Sequence, residues 1–315
     1  MSQRLLVTGA TGFIGARLAR ALAASGHEVR CLVRNRGGSQ ARALERDGFD
    51  LHEADVLRPE TLRGAGRRID AAYYLIHSMG RGGPKEFAPQ ERAAATAFAR
   101  MAREEGIERV IYLGGLGDRP HARHLRSRHE TALLLREHGP ALTYFRAGMV
   151  VGPESESYRT LRFLVQRLPA MIAPAWLENP TQPIAIDDTV SYLLQALEVE
   201  GSAGREIQIG GPDVLSYGEM LDRMAAVLGI PHRPRIPVPL ITPWLSSLWI
   251  GLVTPVDAGV ARPLIEGLAV ATVVTDPSGM ELFEIDPVGF DDALRHALAE
   301  DLDLGRVAPA AAGAS

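Results

Sequence analysis

Apolar residues in the first half of the chain follow two alternating patterns. Short continuous runs read as buried strands: "RLLVT" from Arg4, "EVRCLVR" from Glu28, "AAYYLIH" from Ala71, "RVIYLGG" from Arg109 and "ALTYFRAG" from Ala141, with a shorter "DLHEAD" from Asp50. Continuous rather than alternating apolarity is what parallel strands need when helices cover both their faces. Between the runs, apolar residues recur at helical spacing. "FIGARLARALAASG" stops at a glycine, "SQARALERDG" follows the second strand, and helices are predicted at about residues 85–105 and 123–138. Strands separated by helices imply parallel βαβ units and an α/β fold class.

After Gly152 the texture changes, with prolines at 169, 174, 180 and 183. "PIAIDDTVSYLLQALE" predicts a strand and then a helix, with Asp187 or Asp188 as its N-cap. "EIQIGGPDVLSYGEMLDRMAAVLG" repeats that order, and both strands read as returns to the main sheet. Residues 1–150 are therefore expected to form one α/β domain completed by 183–211. Residues 151–182 and 212–305 would make a smaller substrate lobe, and 306–315 a flexible tail. Trp244, Leu245, Leu248, Trp249 and Leu252 have helical spacing. Such a stripe reads first as core or pocket wall. A membrane-surface or protein-partner helix over 244–252 is the sharper alternative, disfavoured because a basic polar face is missing.

Composition narrows the picture. The 315 residues carry a net charge of -4, so no global positive field points to nucleic acid. Cys31 is the only cysteine, which excludes an internal disulfide and a thiolate metal centre. No apolar run approaches the roughly 18 residues of a spanning helix. The N-terminus leads into a strand without a signal-like segment, so a cytoplasmic location is expected. Lys85 is the only lysine. Basic charge here means arginine.

The first strand runs into "VTGATGFIG", placing Gly9, Gly12 and Gly15 in the spacing G-x-x-G-x-x-G. The first glycine allows a tight turn, and the second lets backbone N–H groups approach a pyrophosphate. The third lets the helix pack against the strand. Thr11, Phe13 and Ile14 complete this candidate dinucleotide cradle. A ribose-binding acid would stand about twenty residues on. The chain instead has Arg34 and Arg36, which favour a 2′-phosphate and hence NADP(H) over NAD(H). Asp55 is placed to bond adenine, or else to cap a turn.

With these features in place the chain resembles the short-chain dehydrogenase/reductase superfamily, in its extended and atypical branch near epimerase-like and NmrA-like proteins. "TGATGFIG", "EADV", "RVIYLGG", "LTYFRAGMVVGP", "PIAIDDTV" and "IGGPDVLSYGEM" carry the resemblance. It implies a Rossmann-type doubly wound parallel sheet with a smaller C-terminal substrate lobe. It also implies Tyr-x-x-x-Lys on the helix after strand five, and a Ser or Thr ending that strand. Here "HLRSR" puts His124 at the tyrosine and Arg128 at the lysine, and Gly114 and Gly115 replace the hydroxyl. Arg128 suits ribose hydroxyls but is a poor proton source. His124 is the candidate acid. His77 lies past strand four, where this fold approaches the cofactor. His121, His124 and His129 lack supporting ligands, so no metal is expected.

Two function classes follow. One is an NADP(H)-dependent oxidoreductase that reduces a small, largely apolar carbonyl or related substrate without the usual tyrosine. The other is a non-catalytic NAD(P)H-binding redox sensor or an accessory or assembly factor.

Overall fold

The computed structural model describes residues 2–76, 87–117, 123–237 and 270–305. The first half runs β1 (Arg4–Thr8), α1 (Phe13–Ala24), β2 (Glu28–Val33), α2 (Ser39–Arg46), β3 (Asp50–Glu53) and β4 (Ala71–Tyr74). It continues with α3 (Phe87–Glu104), β5 (Arg109–Gly115), α4 (Arg123–His138) and β6 (Ala141–Ala147). Next come β7 (Val150–Val151), α5 (Glu156–Arg167), β8 (Met171–Ala173), β9 (Pro180–Thr181), β10 (Ile184–Ala185) and α6 (Ile186–Gln195). The chain then forms β11 (Glu206–Ile209), β12 (Leu215–Ser216), α7 (Tyr217–Val227), β13 (Arg235–Pro237) and α8 (Phe290–Asp303).

Seven parallel strands form one sheet in the order β11-β6-β5-β4-β1-β2-β3. This is a Rossmann-type α/β fold. Pleating sends Leu5 and Val7 into the layer shared with α1, α2 and α6, while Leu6 joins α3 and α4 on the other face. Both faces are covered, which is why the strands read as unbroken apolar runs. A separate core joins α5, α7 and α8 through residues such as Tyr158, Leu161, Met220, Met224 and Leu294.

The strand order reverses between β1 and β4, and a ligand crevice opens at such a switch point beyond the strands' C-terminal ends. Thr8 ties the two strands together there: its hydroxyl donates to the Tyr73 carbonyl and accepts from the Leu75 N–H, both at 3.0 Å.

Two local expectations are corrected. Ile184–Ala185 does not enter the main sheet but pairs with Val150–Val151. The edge of β6 is already taken by the longer β11, in register from Tyr144–Glu206 to Ala147–Ile209. The N-cap of α6 is Ala185, with Asp187 and Asp188 inside the first turn. There they complement the helix dipole, and Asp188 accepts the Val288 N–H at 3.0 Å, a long-range contact that outcompetes local capping. The 244–252 stripe, the 306–315 tail and His77 lie outside the described residues. Among the described residues, no helix is long and apolar enough to cross a membrane.

Candidate functional site

Gly9 ends β1 with φ +65° and lies so close to β4 that a Cβ on it would stand 2.6 Å from the Leu75 carbonyl oxygen. The Gly12 N–H then donates back to the Gly9 carbonyl at 2.8 Å, closing the turn. A Cβ on Gly15 would fall 2.3 Å from the Gly9 oxygen, so α1 can pack this tightly only with glycine there. Gly12 is the N-cap of α1, with no side-chain cap and no acidic residue in the first turn. The helix therefore presents uncapped N–H groups and its positive end to the crevice, which is what a pyrophosphate requires. Thr11, Phe13 and Ile14 sit on this rim.

At the end of β2, Arg34 is exposed and makes no hydrogen bond or ion pair with another described residue. Arg36 is more committed. Its backbone N–H donates to Glu53 at 2.9 Å and its guanidinium donates to the Leu51 carbonyl at 3.0 Å. Asp55 caps its own turn, accepting the Leu57 N–H at 3.0 Å, and its backbone N–H donates to the Thr61 hydroxyl. These contacts make it a turn cap.

The glycine cradle opens into a cleft of about 370 Å³ over the ends of β5 and β6. Leu75, Leu113, Leu116, Leu125, Met149 and Val150 make its walls largely apolar, and Arg128 lines it from α4. The Arg128 side chain makes no hydrogen bond or ion pair with another described residue. The missing strand-five hydroxyl has a steric cause. A Cβ on Gly114 would stand 2.8 Å from the Tyr144 ring, and one on Gly115 would stand 2.7 Å from Leu125. Tyr144 is fixed there by stacking on Tyr112 at 5.2 Å, and the Tyr112 hydroxyl donates to the Arg128 carbonyl at 3.1 Å. His124 lies one turn before Arg128 on α4, and its side chain is outside the described part.

Some residues in and around the cleft lie beyond the reach of sequence reading. Arg146, buried on β6, donates to the carbonyls of Gly115 and Gly117 and pairs with Glu206 of β11 at 2.9 Å. It thereby holds the loop after β5 against the completed sheet edge. Tyr217 and Thr272 join the cleft wall. Burial pushes the Tyr217 phenol up to about 12, against the opposing effect of hydrogen bonds with Thr181 and Thr272. Only the capping box of Ser216 and Glu219 signals this place in the chain, by fixing where α7 begins.

A larger cavity of about 860 Å³ lies behind the cradle, among α1, α2, α5 and α8. Its cations are neutralised internally: Arg17 pairs with Glu300, Arg20 with Asp47, Arg159 with Glu156 and Arg162 with Asp301. No group of three or more potential metal-ligating side chains occurs among the described residues.

Comparison with known proteins agrees with this geometry. The model of the NmrA-like family matches residues 1–229. The NAD(P)H azoreductase of Xenophilus azovorans is 23% identical over 231 residues, 73% of this chain and 75% of that protein. Sterol demethylase protein B of Methylococcus capsulatus is 33% identical over 115 residues, and the match spans 36% of this chain but only 34% of that protein. The NADPH-dependent quinone oxidoreductase of Escherichia coli, solved with NADPH, has the same fold with a TM-score of 0.73 at 17% identity, covering 93% of this chain and 99% of that one. The glycine cradle at the switch point, the seven-stranded sheet and the family match over most of the chain lead to one assignment: this chain belongs to the NmrA-like family.

Proposed function

We propose that this chain is an NADP(H)-dependent reductase of a small, largely apolar acceptor, a carbonyl or related conjugated group. The observation that carries this reading is the join between the glycine cradle and an apolar cleft lined by the guanidinium of Arg128, which makes no side-chain hydrogen bond or ion pair among the described residues. A bound reduced nicotinamide supplies hydride. The chain's own residues hold the phosphates on Thr11–Gly15, exclude water with leucines, and place a permanent cation in the cleft. Arg128 also suits the ribose hydroxyls. A guanidinium is a permanent cation that stabilises negative charge but gives up no proton at neutral pH. Acceptors that become delocalised anions, protonated afterwards by water, therefore suit this site better than simple ketones. The azoreductase and the quinone oxidoreductase named above carry conjugated acceptors in their names, which supports the same direction.

The test is single-turnover NADPH oxidation with menadione, a cyclic enone, an azo dye and an unconjugated ketone. The conjugated acceptors should react and the ketone should not. His124→Ala should lose less than about tenfold, short of the roughly 10²–10⁴-fold expected for a general acid. Tight NADPH binding with no acceptor reduced would replace the reductase reading with that of a non-catalytic sensor or accessory module.

A further inference from the structure

Leu125 of α4 is wedged against bare backbone at the end of β5. One of its methyls, Cδ2, fills the space over Gly115, where a Cβ would stand 2.7 Å away. The other, Cδ1, fills the space over Gly117 at the same 2.7 Å. A leucine comes this close only because neither residue has a side chain. The backbone beneath it is held in place. The carbonyls of Gly115 and Gly117 accept from Arg146 at 3.2 and 2.9 Å, and the Leu116 N–H between them donates to the Ala147 carbonyl at 2.7 Å. The helix above is held as well, since the Tyr112 hydroxyl donates to the Arg128 carbonyl one turn after Leu125. The Thr272 methyl closes the far side of Gly117, at 3.4 Å from the same Cβ position. Leu125 is buried, yet it lines the cleft beside Arg128.

We propose that Leu125 is a specificity-determining residue that limits the bulk an acceptor can carry on its ring. This inference rests on the reductase reading of the cleft. A side chain already in contact with fixed backbone cannot make room by sliding inward, because close-packed interiors have no void to receive it. Bulk pointing at α4 therefore meets the leucine methyls and is refused, while a flat ring with small substituents fits against them. The superfamily resemblance implies a Ser or Thr hydroxyl at this end of β5. Here methyls occupy that space, so size rather than hydrogen bonding selects the acceptor there. Apolar walls discriminate steeply, with one methylene changing kcat/KM by about 10- to 200-fold.

The test compares kcat/KM for menadione with kcat/KM for its 2-tert-butyl counterpart, the same quinone with three more carbons, using the full chain and NADPH. The parent should favour menadione by about tenfold or more. Leu125→Ala removes three carbons from the wall, matching the three added to the quinone. It should shift the ratio by about tenfold or more towards the tert-butyl quinone. Leu125→Val removes one carbon and should give an intermediate ratio. It carries the test if melting curves show that the alanine variant is not folded. Because the ratio is taken within each variant, a general loss of activity from looser packing cancels. A parent that reduces both quinones equally well, or a ratio that stays the same in the folded variants, would overturn the assignment. Either result leaves the reductase reading standing, since the parent still reduces menadione. If the parent reduces no conjugated acceptor, the reductase reading fails and this inference falls with it.

Discussion

Arg128 lies against the bare backbone of Gly115. A Cβ on that glycine would stand 3.4 Å from Nη1 of Arg128 and 2.7 Å from Cδ2 of Leu125. The guanidinium and the glycine are thus a matched pair. Restoring the superfamily's strand-five hydroxyl with Gly115→Ser should push Leu125 aside, and overpacking of this kind costs about 1–3 kcal/mol. Urea denaturation of the variant should show that loss. A variant as stable as the parent would mean that Leu125 yields freely.

Arg34 and Arg36 should contribute unequally to cofactor choice. The Arg36 guanidinium already donates to the Leu51 carbonyl, while Arg34 has no partner among the described residues. Arg34→Ala should weaken NADPH by about 1.5–3 kcal/mol, the range for hydrogen bonds to charged groups, and barely affect NADH. Arg36→Ala should cost less. Calorimetric titration with both dinucleotides decides, and equal affinities in the parent protein would remove the proposed preference.

Arg162 of α5 and Asp301 of α8 form an ion pair whose side chains are 7% and 1% exposed. The guanidinium also lies over the rings of Tyr158 and Phe163, at 5.5 and 5.3 Å from their centroids. Removing one partner strands a buried charge, so Asp301→Ala should destabilise the protein by about 3–5 kcal/mol. Replacing both partners, as Arg162→Met with Asp301→Leu, should recover much of that loss, because no isolated charge remains. A double variant as unstable as Asp301→Ala would contradict this account.

Asp188 provides a pH test. Burial raises its pKa above the ordinary value of 3.8, outweighing the opposing bond from the Val288 N–H, and the carboxylates of Asp187 and Asp286 raise it further. The folded protein therefore holds this proton more tightly than the unfolded chain. The associated stability is complete below the unfolded pKa and is lost as pH rises through the raised folded value. Asp188→Asn keeps an acceptor for Val288 without the charge. Its melting temperature should exceed the parent's at pH 7, and the gap should close as pH falls below about 4. A gap that does not change with pH would point to packing instead.

The cradle and most of the sheet were legible in the sequence because their determinants are local. Gly9, Gly12 and Gly15 act on one another within two turns of chain. Each strand of the first half announces itself by apolarity that the covering helices require. The same locality explains the failures. Asp187 and Asp188 resemble caps, but Val288, a hundred residues away, claims Asp188. "PIAI" looks like a strand of the sheet, but which strand fills the edge of β6 depends on competition between segments, and the longer β11 wins.

The sequence by itself determined the fold class, the place of the phosphate-binding turn and the absence of a tyrosine after strand five. It did so because backbone sterics and apolar periodicity act within a few residues. Only the tertiary structure decided what surrounds that missing tyrosine. Tyr144 and Leu125 exclude a side chain at Gly114 and Gly115, and Arg146 and Glu206 fasten the loop beside them. Tyr217 and Thr272 meet in the cleft wall, and Thr181 is bonded to Thr272 although 91 residues separate them. No local signal encodes such meetings, since they depend on strands pairing and hydroxyls being buried together once the whole chain has folded.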